Sequence, residues 1–130
     1  FRGFLETAAD GTRHGDFAVA VAPNRVLAAI GGRSRTVRLS AETAAKRRRA
    51  HPDLKPDDYA LVQRILDGGE LFRSGPHHAL GFVEIDGRVW RAVYKATRDG
   101  AETYVVSLHR VDPPRRRRAA RTLERIGGGE

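Results

Sequence analysis

A chain of 130 residues is one domain's worth of sequence, and the 40% of it that is apolar can furnish a single core. Without cysteine it has no disulfide framework, thiolate nucleophile or cysteine-held zinc or iron–sulfur site, and no apolar run approaches the roughly 18 residues of a membrane span. The net charge of +8 is unevenly spread: residues 33–49 carry seven bases against one acid and residues 110–125 seven against two, a pattern that favours a polyanionic partner such as nucleic acid.

The chain opens on Phe1 with no signal-peptide pattern and is expected to be a piece of a longer polypeptide. Residues 1–32 read as a connecting segment, with residues 17–22 and 25–30, separated by Pro23-Asn24, expected to form a short hairpin. Gly31-Gly32 marks a break. Residues 36–39 read as a strand, and Ser40 stands where the N-cap of a helix over Ala41–Ala50 belongs. His51-Pro52 ends that helix, because the residue before proline is pushed out of the α region. A second helix starts near Pro56, with Asp57 and Asp58 suited to its positive end. Tyr59, Val62, Ile65 and Leu66 share one of its faces, and Gly68-Gly69 stops it.

Residues 77–109 are rich in strand formers. Asp86-Gly87 and Asp99-Gly100 are hairpin turn signals, so a three-strand antiparallel meander is expected over 78–84, 88–97 and 102–109. Pro113-Pro114 closes it, and residues 113–130 should hold a basic helix and a glycine-rich tail. The expected fold class is therefore α+β: two helices, then a curled antiparallel meander, then the C-terminal basic helix.

Register decides which side chains of the meander meet. A three-residue loop Arg98-Asp99-Gly100 with a glycine bulge would set Tyr94 opposite Tyr104, Ala92 opposite Val106 and Trp90 opposite Leu108, gathering the apolar side chains on one face. The other face would then present Arg91, Lys95, Thr103, Ser107 and His109, with Lys95 opposite Thr103 and Arg91 opposite Ser107. The same loop type at the first turn would put Gly81 beside Arg91 and leave room for a ligand. Two cations, two hydroxyls and an imidazole without a carboxylate suit phosphodiester cleavage. Cations stabilise charge on the phosphorane oxygens, an imidazole moves protons near neutral pH, and a ribose 2′-hydroxyl supplies the nucleophile. No metal and no cofactor are needed for such a reaction, and the histidines are poorly spaced as metal ligands. The plainer alternatives are a solvated strand lysine at Lys95, a packed hydroxyl at Ser107 and an exposed strand-end histidine at His109. Trp90 and Tyr94 read as core rather than as platforms for bases.

Taken in order, Val37-Arg38-Leu39-Ser40, Thr43, Lys46, His51-Pro52-Asp53-Leu54 and Asp58-Tyr59, and then the strings over 90–97 and 104–110, resemble the phage-associated barnase–EndoU–colicin–RelE-like (BECR) nuclease domains, over roughly residues 36–110. Such domains are similar to ribonuclease toxins and occur at the C-terminal end of Mu-like phage head-morphogenesis proteins. The resemblance implies a nuclease-like domain over 33–112 that cleaves RNA on its sheet. It points to Lys95, Ser107 and His51, with Thr97, Arg110, Ser40 and Lys46 behind them; Arg38 and Thr103 are further candidate substrate contacts. It further implies action in the cytoplasm after delivery by a phage particle or secretion system. The implied partners are RNA (tRNA or ribosomal RNA) and a cognate immunity protein. Together the residues and the resemblance give a metal-independent endoribonuclease with Lys95, His51, Ser107, His109 and Arg91 at its centre. The runner-up is a non-catalytic nucleic-acid-binding or phage head-assembly module.

Overall fold

The computed structural model describes residues 16–50 and 56–126; His51, most of the expected connector and the glycine tail lie outside them. Strand β1 (Asp16–Val21) is followed by helix α1 (Asn24–Ile30), which replaces the second arm of the expected hairpin. Val26, Leu27 and Ile30 recur at helical spacing and are all buried, and Gly31 closes the helix in the left-handed conformation at φ 71°. β1 finds its partner further on, in antiparallel β2 (Thr36–Ser40). The Ser40 hydroxyl then accepts the Thr43 N–H at 3.0 Å and so caps helix α2 (Ala41–Ala50). A 3-10 turn (Pro56–Tyr59) leads into α3 (Ala60–Gly68), where Val62, Ile65 and Leu66 are buried on one face together with Tyr59.

The rest is β3 (Glu70–Arg73), β4 (His78–Ile85), β5 (Arg88–Ala96), β6 (Thr103–Val111), α4 (Pro113–Thr122) and the short β7 (Glu124–Arg125). The strands form a seven-stranded sheet in the order β1-β2-β6-β5-β4-β3-β7. β2 lies parallel to β6, with Val37 opposite Thr103, and the other pairings are antiparallel. The α+β class holds, but its expected plan does not. A strand precedes the first helix, and the sheet is mixed and open rather than a curled antiparallel meander. The parallel contact explains the difference: joining β2 beside β6 requires a long crossover, here α2, α3 and three strands, and no local sequence signal records it.

Each face of the sheet has its own apolar layer. Against one face, α1, α2 and α3 bury Ile30, Ala44, Val62 and Ile65 on Val37, Leu39, Ala92, Tyr94 and Leu108. Tyr94 sits at the centre of this layer, fully buried, and its hydroxyl donates to the Val62 carbonyl at 2.9 Å. On the opposite face, Phe72, Phe82 and Val89 pack under Ala119 of α4, with Leu80, Val111 and Leu123 around them. A helix following β6 after the single residue Asp112 thus folds back over part of the sheet.

The hairpin registers differ from the expected ones. Asp86 and Gly87 both have positive φ, 52° and 78°, and form a two-residue turn that sets Phe82, not Gly81, opposite Arg91. Gly81 faces the helical layer, where an added Cβ would collide with Ile65; it permits close packing rather than a ligand. Between β5 and β6, Thr97 and Glu102 close a loop over Arg98–Ala101, with the Thr97 N–H donating to the Glu102 carbonyl at 2.9 Å. Lys95 therefore faces Tyr104, and Tyr94 faces Val105. A bulge at Val106 then shifts the ladder so that Ala92 faces Leu108 and Arg91 faces His109. The bulge satisfies the hydrophobic pattern that the longer loop was expected to satisfy. It lets Val105 and Leu108, three residues apart, both face the helical layer.

Candidate functional site

The face that α4 only partly covers carries Arg91 and Lys95 from β5, Tyr104, Ser107 and His109 from β6, and Arg38 from β2. Strand alternation puts them there, and the Val106 bulge keeps Ser107 and His109 on this side. Arg91, His109 and Ser107 form a hydrogen-bonded chain. The Arg91 Nη2 lies 3.2 Å from His109 Nε2, and His109 Nδ1 lies 3.1 Å from the Ser107 hydroxyl. A guanidinium can only donate, so Nε2 accepts; the neutral ring then carries its proton on Nδ1 and donates it to Ser107. That leaves the Ser107 hydroxyl hydrogen to donate to an acceptor outside the chain. Burial first, and then the nearby Arg115 guanidinium, lower the Arg91 pKa from its ordinary value. Its Nε is buried without a hydrogen-bond partner.

Lys95 is exposed on the same face, four residues along β5 from Arg91 and so roughly 13 Å away at the backbone. It lies between His78 of β4 and Tyr104 of β6, and Arg38 is opposite Tyr104 on the other side. The face is not free of carboxylates, as the meander alone suggested. Glu70 and Glu84 sit at its β3–β4 end, where Arg116 of α4 pairs with the first and approaches the second to 3.9 Å. The Tyr104 hydroxyl donates to Glu102.

The other sequence candidates are dispersed. Thr103 is fully buried and donates to the Ser34 carbonyl at 3.1 Å, so it belongs to the fold and not to the face. Val105 is buried on the helical side. Thr97 builds the loop, its hydroxyl donating to Asp99 at 2.8 Å and accepting the Glu102 N–H at 3.1 Å. Asp99 is held below the usual carboxylate range by the Ala101 N–H and then by that hydroxyl. Arg110 stacks over Trp90, 5.7 Å from the ring centroid, on the side opposite His109. Ser40 is a helix cap, and Lys46 is an exposed residue of α2, which packs against the helical layer. His51 lies outside the described residues.

Sequence reasoning missed the contribution of α4. Between this helix and the sheet runs a cleft of about 370 Å³, lined by Leu80, Phe82 and Arg91 from the sheet and by Arg115, Arg118 and Leu123 from α4 and its C-terminal end. The signal was present: Ala119 and Leu123, four apart, mark the inward face, and Arg115 and Arg118 flank the same stripe. Among the described residues no group of three or more histidines, aspartates and glutamates is placed to hold a metal ion, and no helix is long and apolar enough to cross a membrane. No family model, curated protein or solved structure matches the chain.

Proposed function

We propose that this sheet face binds a single strand of RNA and cleaves it without a metal ion. The observation that carries the reading is the Arg91–His109–Ser107 chain, which sets a proton acceptor, a cation and a hydroxyl donor side by side on an open basic face. An arriving phosphate draws the Arg91 guanidinium onto its non-bridging oxygens, which frees His109 Nε2. That nitrogen takes the proton of the ribose 2′-hydroxyl as the 2′-oxygen bonds to phosphorus. The phosphorus–5′-oxygen bond breaks, and Lys95 gives the leaving oxygen its proton. The products are a 2′,3′-cyclic phosphate and a 5′-hydroxyl, and Arg91 with Ser107 holds the phosphorane charge. The resemblance to phage-associated nuclease domains supports the same activity through Lys95 and Ser107, although the fold departs from the plan it implied.

Incubation of the chain with total tRNA and ribosomal RNA in EDTA tests this. Discrete cleavage is expected. His109→Ala and Lys95→Ala should each lower turnover by about 10²–10⁴-fold, the usual contribution of a general acid or base, while RNA affinity stays within a few-fold. RNA held but uncut would favour the non-catalytic binding module, and RNA neither held nor cut would remove both readings.

A further inference from the structure

The cleft under α4 contains charge that the fold itself does not neutralise. Arg116 meets Glu70 and Glu84, whereas Arg115 and Arg118 of the same helix have no acidic partner among the described residues. Both line the cleft with Arg91, whose Nε is buried and unpartnered. Arg115 and Arg118 are exposed and Arg91 is half-buried, so the three guanidiniums concentrate positive potential at one cleft that an anion can enter, and guanidinium forks match phosphate oxygens. Leu80 from the sheet and Leu123 at the end of α4, both half-buried, add apolar surface to the same lining. The volume of about 370 Å³ is at the low end of the roughly 300–1,000 Å³ typical of small-molecule sites. An anionic group joined to a flat, weakly polar ring meets both kinds of lining; a bare phosphate or a bare base meets one.

We propose that this cleft is a subsite for one nucleotide of the bound strand, with the phosphate on Arg91, Arg115 and Arg118 and the base against Leu80 and Leu123. The assignment rests on the reading of this face as an RNA platform. Because Arg91 belongs both to the cleft and to the His109 chain, the nucleotide held under α4 is the immediate neighbour of the reacting phosphate. Helix α4 is thereby a clamp on the strand.

Calorimetric titration of the chain with adenosine and uridine 3′-monophosphates, the two nucleosides and inorganic phosphate tests this without any turnover. The monophosphates should bind at least tenfold more tightly than either fragment and should displace a labelled RNA oligonucleotide. A double variant R115Q/R118Q should lose at least tenfold in monophosphate affinity. R117Q/R121Q removes the same charge from exposed positions outside the cleft and should stay within twofold. Thr122→Trp, which fills the cleft from α4, should abolish the advantage of the monophosphates over phosphate. Equal losses in the two double variants, phosphate binding as tightly as the nucleotides, or monophosphates that fail to displace RNA would each overturn the subsite. Monophosphate binding without RNA cleavage would keep the subsite and remove the cleavage reading, and cleavage without monophosphate binding would do the reverse.

Discussion

Tyr94 and Tyr59 show how a single residue can tie stability to pH. Burial pushes the Tyr94 phenol well above its ordinary value, and Asp67 adds to the effect. Burial likewise pushes Tyr59 up to about 12, against the opposing pull of Arg47. A folded-state pKa above the unfolded one means that the unfolded chain loses its proton first as pH rises. Both residues therefore contribute fully below about pH 10, the ordinary tyrosine value. The Tyr59 contribution drains away between there and about 12. Urea midpoints measured at pH 9 and pH 11 should fall, and absorbance at 295 nm should show two of the three tyrosines ionising late. Tyr94→Phe strips one donor from the Val62 carbonyl and should cost about 1 kcal/mol, again with RNA binding unchanged. At His109 the contact with Arg91 fixes which nitrogen is bare. Nitrogen NMR of the neutral ring should find the proton on Nδ1, and Arg91→Ala should release that preference. A ring with its proton on Nε2 in the unmodified chain would break the proposed route, because no base would then face the 2′-hydroxyl.

Among the elements, the β2–α2 junction separates a structural reading of a candidate from a functional one. Ser40 was a candidate contact for RNA, yet its hydroxyl accepts the Thr43 N–H and donates to the Thr43 hydroxyl at 2.8 Å. Ser40→Ala should therefore cost about 1 kcal/mol as a lost cap, read from urea unfolding, and leave RNA affinity where it was; a loss of affinity at unchanged stability would restore it to the site. The cap, α2, α3 and the position of the Asp86-Gly87 turn were legible because each is encoded within a few neighbouring residues, whereas the length of that turn was not. Residues 25–30 misled because the helical spacing of Val26, Leu27 and Ile30 spans little more than one turn, and burial against the sheet decided for helix. The register of β5 on β6 was illegible for a different reason. Hydrophobic pattern demanded that Tyr94, Ala92 and the apolar residues of β6 share a face, and a loop bulge or a strand bulge both satisfy it. Docking of the loop favours the latter: Arg33 donates its N–H to the Gly100 carbonyl at 2.8 Å and its Nη2 to the Asp99 carbonyl at 2.8 Å. Four of the five side chains expected on the polar face, Arg91, Lys95, Ser107 and His109, kept a shared face in spite of this slip. Thr103 did not, and Arg115 and Arg118 stayed hidden because an arginine-rich helix betrays its inward stripe only through Ala119 and Leu123.

At the scale of the whole molecule, the +8 charge is divided between the two sides of the sheet. The bases of α2 accompany a helix packed on the helical layer, and those of α4 accompany a helix packed on the other side, beside Arg91. One strand lying along the open face can meet the second group and Arg38 but not the first. Two pairs of substitutions with equal charge loss separate this from a diffuse attraction. Binding of single-stranded RNA weakens with salt by a slope of about 0.7 per phosphate contact in a double-logarithmic plot. R115Q/R118Q, which share one phosphate, should therefore reduce that slope by about 0.7, whereas K46Q/R49Q, at exposed positions of α2, should barely move it. Fluorescence anisotropy of a labelled oligonucleotide across a salt series reads both. Equal reductions would mean that the strand wraps both sides or that net charge alone governs binding, and the face would lose its claim to be the site. An unequal result locates the strand before any cleavage is measured, because counterions are released only where phosphates are bound. It would also explain how a chain this basic can direct RNA to one histidine: α2 raises the local concentration of polyanion by long-range attraction, and α4 selects the face.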